Sequence, residues 1–131
     1  MSTGSDYSAN TYMTVAWRWS LSSSVFMSLA FDTALGPEVI VPGHGPVAGL
    51  DAVREQRAYF EYLYEQARAH HAEGLPPLEA ARALSMDRWA DWGEGERLVV
   101  NLANIYSELE GRHSPVDPLA AFQQMAELAQ I

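Results

Sequence analysis

The sequence predicts an α+β fold dominated by helices, with about five helices and one or two short strands. Apolar residues recur at helical spacing through most of the second half of the chain. One short run of β-branched residues, 38–41, lies between two prolines and is typical of a buried strand. The length of 131 residues predicts one domain, and a hydrophobic content of 48% with 19% charged residues is a globular composition.

The helical pattern breaks at glycines and prolines, which sets the expected element boundaries. A short helix is expected over 22–35, ended by Gly36-Pro37. The further expected helices are about 50–71, 77–84, a turn or short helix at 86–92, 96–110, and about 117–130.

The predicted strand needs a pairing partner, because backbone groups of a single strand would be left without hydrogen bonds. Residues 12–19 mix β-branched and aromatic side chains and could pair with it, although a helix start is also possible there. Otherwise another chain supplies the partner. The domain prediction is a flexible or divergent N-terminal segment, 1–21, followed by a single helical domain, 22–131, containing the 38–41 strand and a 42–49 loop.

Charge and composition exclude several classes of function. The net charge is −9 and all eight basic residues are arginine, so phosphate backbones and anionic membrane surfaces would repel the chain. The chain has no cysteine, so no thiol nucleophile, thiolate metal site or disulfide is possible. No segment has the ~18 apolar residues of a membrane span, and no basic residue precedes Arg18. The expected location is cytoplasmic.

His44 is the candidate metal ligand of the sequence. It stands in Pro42-Gly43-His44-Gly45-Pro46, directly after the predicted strand. Glycines on both sides permit positive φ, and imidazole is the commonest neutral metal ligand. The residues alone favour a tight turn with an exposed histidine over a metal site, and both interpretations stay open at this point.

The run 39–47 resembles the last metal-ligand motif of the metallo-β-lactamase-fold hydrolases, a zinc hydrolase superfamily. The resemblance covers about residues 22–112 and implies the C-terminal portion of such a protein, with His44 as a ligand of the second zinc. The downstream part looks like the helical extension of a branch that includes cyclase-like and quinoprotein-associated members. The matching residues there are 57–63, 74–81, Trp89, Trp92, Glu96-Arg97 and 101–111.

The family's central His-x-His-x-Asp-His signature is absent from this chain. The other histidines are His70, His71 and His113, and none stands in that pattern. A catalytic zinc needs about three protein ligands and an open position for water, so one histidine does not suffice. We therefore assign no catalytic residue, and expect no cofactor on this chain alone and zinc only if a complete site is assembled.

Three functions follow as hypotheses. The first is a truncated, non-catalytic relative that self-associates as a dimer through apolar helix faces, since a half-domain exposes surfaces that the missing half would cover. Aromatic residues on two sides of the 50–71 helix, such as Tyr62 and Tyr64, agree with a second subunit. The second is a zinc-dependent hydrolase subunit or fragment completed by other ligands. The third is a helical module that binds a small molecule between its Trp and Tyr side chains.

Overall fold

A computed structural model describes residues 34–41, 46–93, 95–112 and 116–130 of the chain. Four α-helices and two single turns of 3-10 helix make up most of this part. The α-helices are α1 (Leu50–Ala72), α2 (Pro77–Ala83), α3 (Leu98–Leu109) and α4 (Pro118–Ala129). The 3-10 turns are Asp87–Trp89 and Gly95–Arg97, and both lie between α2 and α3.

Helices α1 and α3 end in the same way, at glycines in the left-handed region. Gly74 has φ +77° and Gly111 has φ +69°, values that cost other L-residues energy. After α1, the Leu75 N–H donates to the carbonyl of His70 at 3.0 Å, which closes the end of the helix. At the end of α3, the Arg112 N–H donates to the carbonyl of Ser107 at 2.9 Å in the same way. The glycines predicted to end these two helices therefore do so.

Helix α3 is the central element of the bundle and packs against the other three α-helices. Eight of its twelve residues are buried, including Leu102 and Ile105, which have no exposed surface. Its neighbours contribute their own apolar faces. From α1 these are Tyr59, Phe60, Leu63 and Ala67, from α2 Ala80 and Ala81, and from α4 Ala121.

A buried polar side chain of α3 forms a hydrogen bond to α1. Asn101 of α3 is 1% exposed, and its amide donates to the hydroxyl of Tyr59 on α1 at 3.1 Å. An unpaired amide in this position would cost a few kcal/mol, roughly 1–3. The pair therefore links α1 to α3 at a fully buried position.

The predicted α+β class is wrong for the part of the chain that the structure describes. Those residues contain helices but no strand, and they give no support to a partial metallo-β-lactamase-like half-fold. Where the 38–41 strand was expected, Ile40 and Ala48 form one isolated antiparallel bridge. The Ile40 N–H donates to the Ala48 carbonyl at 2.7 Å, and the Ala48 N–H returns to Ile40 at 2.9 Å.

Sequence chemistry explains why the ladder stops at one pair. In this register the next hydrogen-bonded pair on the loop side would be Pro42 with Pro46, and proline has no N–H to donate. On the other side the pair would be Glu38 with Leu50, but Leu50 is the first residue of α1. Against residues 46–50, the β-branched run therefore has only one position at which both hydrogen bonds can form.

Several predictions fall on residues outside the described ranges. These are the 1–21 segment, the candidate strand at 12–19, nearly all of the 22–35 helix, and the centre of the 42–49 loop with His44.

Shortening a buried side chain of α3 should destabilise the fold far more than shortening an exposed side chain of α4. Leu102→Ala removes a side chain with no exposed surface, and we expect it to lower the free energy of unfolding by about 2–5 kcal/mol. Leu119→Ala, at a side chain 68% exposed, should cost no more than about 0.5 kcal/mol. Urea unfolding at low protein concentration measures both, and equal losses would contradict this placement of the core.

Candidate functional site

The residues flanking the histidine motif form a short projecting ribbon, which we call the arm and define as residues 38–41 and 46–49. Its two segments are held together by the single bridge between Ile40 and Ala48. Ile40 and Ala48 are half-buried. His44, the predicted metal ligand, lies between the two segments but outside the described residues.

The arm exposes three valines on one side. In the register of the bridge, Val41 lies opposite Val47, at a position where cross-strand side chains approach closely. Val39 shares their side of the ribbon, because alternate residues of an extended chain point the same way. The exposed fractions are 64% for Val39, 77% for Val41 and 59% for Val47. The prediction that this run is buried is therefore wrong.

A second apolar surface lies along α4. Sequence reasoning grouped Leu119, Phe122, Met125 and Leu128 as one face of this helix. The structure divides that group, because Met125 and Leu128 pack against the core whereas Leu119 and Phe122 are 68% and 59% exposed. Exposed Ala126 and Ala129 continue the same side, which we call the α4 stripe and define as Leu119, Phe122, Ala126 and Ala129.

The aromatic residues that could have lined a ligand pocket instead pack on one another. Tyr59 meets Trp89 edge to face at a centroid distance of 5.5 Å, and meets Trp92 at 5.1 Å. Tyr62 packs on the other side of Trp89 at 5.2 Å, and its hydroxyl donates to the Ser85 carbonyl at 2.7 Å. These contacts favour a structural role for the cluster, joining α1 to the 3-10 turn at 87–89.

Adjacent histidines at the end of α1 contact different partners. His70 Nδ1 lies 3.6 Å from a carboxylate oxygen of Glu73, within the same helix end. His71 Nε2 lies 3.1 Å from a carboxylate oxygen of Glu110, just beyond α3. The two rings do not converge on one point, as expected for neighbours about 100° apart around a helix. The His71 contact links the end of α1 to the residue that follows α3.

The donor set does not fit a catalytic zinc. Of the motifs that would supply ligands in the resembled family, only that of His44 stands in this sequence. Within the described ranges, no three His, Asp or Glu side chains cluster closely enough to hold a metal ion. No reaction step through zinc is therefore derived for this chain.

Comparison with known proteins returns no relative. No family model matches the chain, and no curated protein or solved structure matches it either. The resemblance to zinc hydrolases therefore stays a prediction from the motif. None of the helices in the described part of the chain has both the length and the apolar character needed to cross a bilayer.

The tyrosines of the bundle are held in their neutral form. Burial raises the pKa of Tyr59, although the hydrogen bond from Asn101 opposes that shift. Burial also raises the pKa of Tyr64 to about 12, and its hydrogen bond to Glu108 adds to the effect. Burial likewise raises the pKa of Tyr62 and of Tyr106.

These shifts predict a loss of stability at alkaline pH. A raised pKa in the folded state stabilises it fully below the ordinary tyrosine pKa of about 10, and this contribution disappears as the pH rises through the folded value. We expect the free energy of unfolding in urea to fall from about pH 10 to about pH 12, the interval between the ordinary tyrosine pKa and that of folded Tyr64. Phenolate absorbance should show late titration of Tyr64, and Tyr64→Phe should reduce the pH dependence. Simultaneous titration of every tyrosine near pH 10 would contradict the burial described above.

Proposed function

We propose that this chain is a non-catalytic helical module that self-associates, a truncated relative of zinc hydrolases without their chemistry. One observation carries the proposal: a folded helical core coexists with large apolar side chains left exposed in two places. These are the valines of the arm and the α4 stripe. Scattered exposed apolar residues are ordinary, but contiguous groups of large ones mark contact surfaces.

The distribution of charge supports contact at these two surfaces. The chain carries a net charge of −9, so two copies repel each other over most of their area. Helix α4 carries only one charged residue, Glu127, and residues 34–50 carry only Glu38. Among the described parts of the chain, copies therefore approach at little electrostatic cost through the arm or α4.

The contacts of the remaining polar residues support a role without catalysis. Arg88 pairs with Glu55 through two hydrogen bonds of 2.9 Å, which tie the 87–89 turn to α1. Tyr64 donates to Glu108 at 2.7 Å across α1 and α3. Each of these contacts joins two elements of the bundle, which is the expected role of structural side chains.

Solution mass and metal content together test the proposal. We expect a concentration-dependent shift from the 14.5 kDa monomer toward a dimer in sedimentation equilibrium. We expect no stoichiometric zinc after equilibration with the metal and desalting. A monomer at every concentration would contradict self-association. Tightly bound zinc together with hydrolase activity would contradict the non-catalytic role and favour a zinc-dependent subunit.

A further inference from the structure

We infer that the arm pairs with the arm of a second copy, edge to edge, so that two ribbons form one four-stranded antiparallel sheet across a twofold axis. The inference rests on the proposed self-association and names the surface that performs it. The α4 stripe is the competing surface, and the experiment below distinguishes the two.

The hydrogen-bond geometry of the arm leaves one edge open. Because Ile40 directs both its N–H and its carbonyl at Ala48, the residues on either side of it direct theirs away from the ribbon. Val39 and Val41 make no backbone hydrogen bond within the described part of the chain. Their side chains are also 64% and 77% exposed. Such an edge offers both main-chain groups and apolar side chains to an added strand.

The open edge is complementary to itself. If two copies meet antiparallel with the axis at Ile40, Val39 of one faces Val41 of the other, and the reverse pair follows by symmetry. Each of these pairs exchanges two hydrogen bonds, which satisfies all four main-chain groups that each copy offers. The two Ile40 residues then face each other as a non-hydrogen-bonded pair.

Charge and proline positions favour a second copy as the occupant. The only charge on this strand is Glu38, and in this register it lies opposite Pro42 of the other copy, not opposite another carboxylate. Pro37 is the next outward-facing position before Val39, and it has no N–H to donate, so pairing along this edge weakens there. A longer strand from an unrelated protein would lose a hydrogen bond at Pro37.

The small size of the edge makes the expected dimer weak. Stable interfaces use about 20–30 residues on each side, whereas the arm has eight in its definition. A weak interface of this kind corresponds to a dissociation constant between about 1 µM and about 1 mM. Sedimentation should therefore show a mixture of monomer and dimer that changes with dilution across this range.

A single introduced thiol tests the register directly, because the chain contains no cysteine. Antiparallel residues in a non-hydrogen-bonded pair have Cα atoms about 4.5 Å apart, within the usual disulfide range of about 4.4–6.8 Å. We expect Ile40→Cys to form a covalent dimer under mild oxidation. Val47→Cys, on the other strand of the same arm, is the matched control. It should crosslink at least tenfold more slowly, because the two residues at position 47 lie on the two outer strands of the four-stranded sheet.

A pair of substitutions at one position isolates the contribution of the backbone. Val41→Pro removes the edge N–H but leaves the bridge donors intact, and it should abolish the dimer. Val41→Ala keeps that N–H and should weaken association only severalfold. Val39→Lys adds a charge to the same edge and should also produce a monomer. Circular dichroism of each variant checks that the helices remain folded.

The possible outcomes distinguish failure of the arm interface from failure of the proposed self-association. A dimer that survives Val41→Pro and Val39→Lys but dissociates with Phe122→Gln would overturn pairing through the arm and leave self-association standing, through the α4 stripe. A wild-type chain that stays monomeric up to about 1 mM would overturn the proposed function itself. Equal crosslinking at positions 40 and 47 would overturn the twofold register.

Discussion

The packing of α3 between the other helices is the constraint on which the rest of the described structure depends. This helix is apolar around most of its circumference, so it cannot lie at a surface and must be covered on several sides. Helices α1, α2 and α4 supply that cover. Asn101 adds a polar contact to this packing through its buried hydrogen bond to Tyr59.

The arm differs from the bundle in how it is held. The bundle rests on buried apolar area, whereas the arm rests on two hydrogen bonds and the half-burial of Ile40 and Ala48. A ribbon of two segments with no third strand is only marginally stable in water. Under the proposed self-association, pairing at the open edge would stabilise the arm as well as join the copies. The helical core does not share that dependence.

The absence of a matched relative shifts the argument for function onto physical grounds. A zinc site requires several ligands brought together in space, and one loop motif supplies a single histidine. The contacts of the described polar side chains are those of a structural bundle. Within the described part of the chain, acidic residues are frequent in the bundle and nearly absent from the arm and α4.

The sequence by itself determined the helices and where they end. Glycine and proline act through local backbone geometry, so Gly74 and Gly111 could be placed before any tertiary contact was known, and α3 could be recognised from its apolar spacing. The pairing and burial of the β-branched run 38–41 could not be predicted in the same way. Whether Val39 and Val41 are buried depends on which segments lie beside them, and that is decided by three-dimensional packing. The division of α4 into a buried side and an exposed stripe has the same cause, since both sides are apolar and only contact with α3 distinguishes them. The motif around His44 specified a turn and a possible ligand, but a site requires partners that spacing along one chain cannot supply.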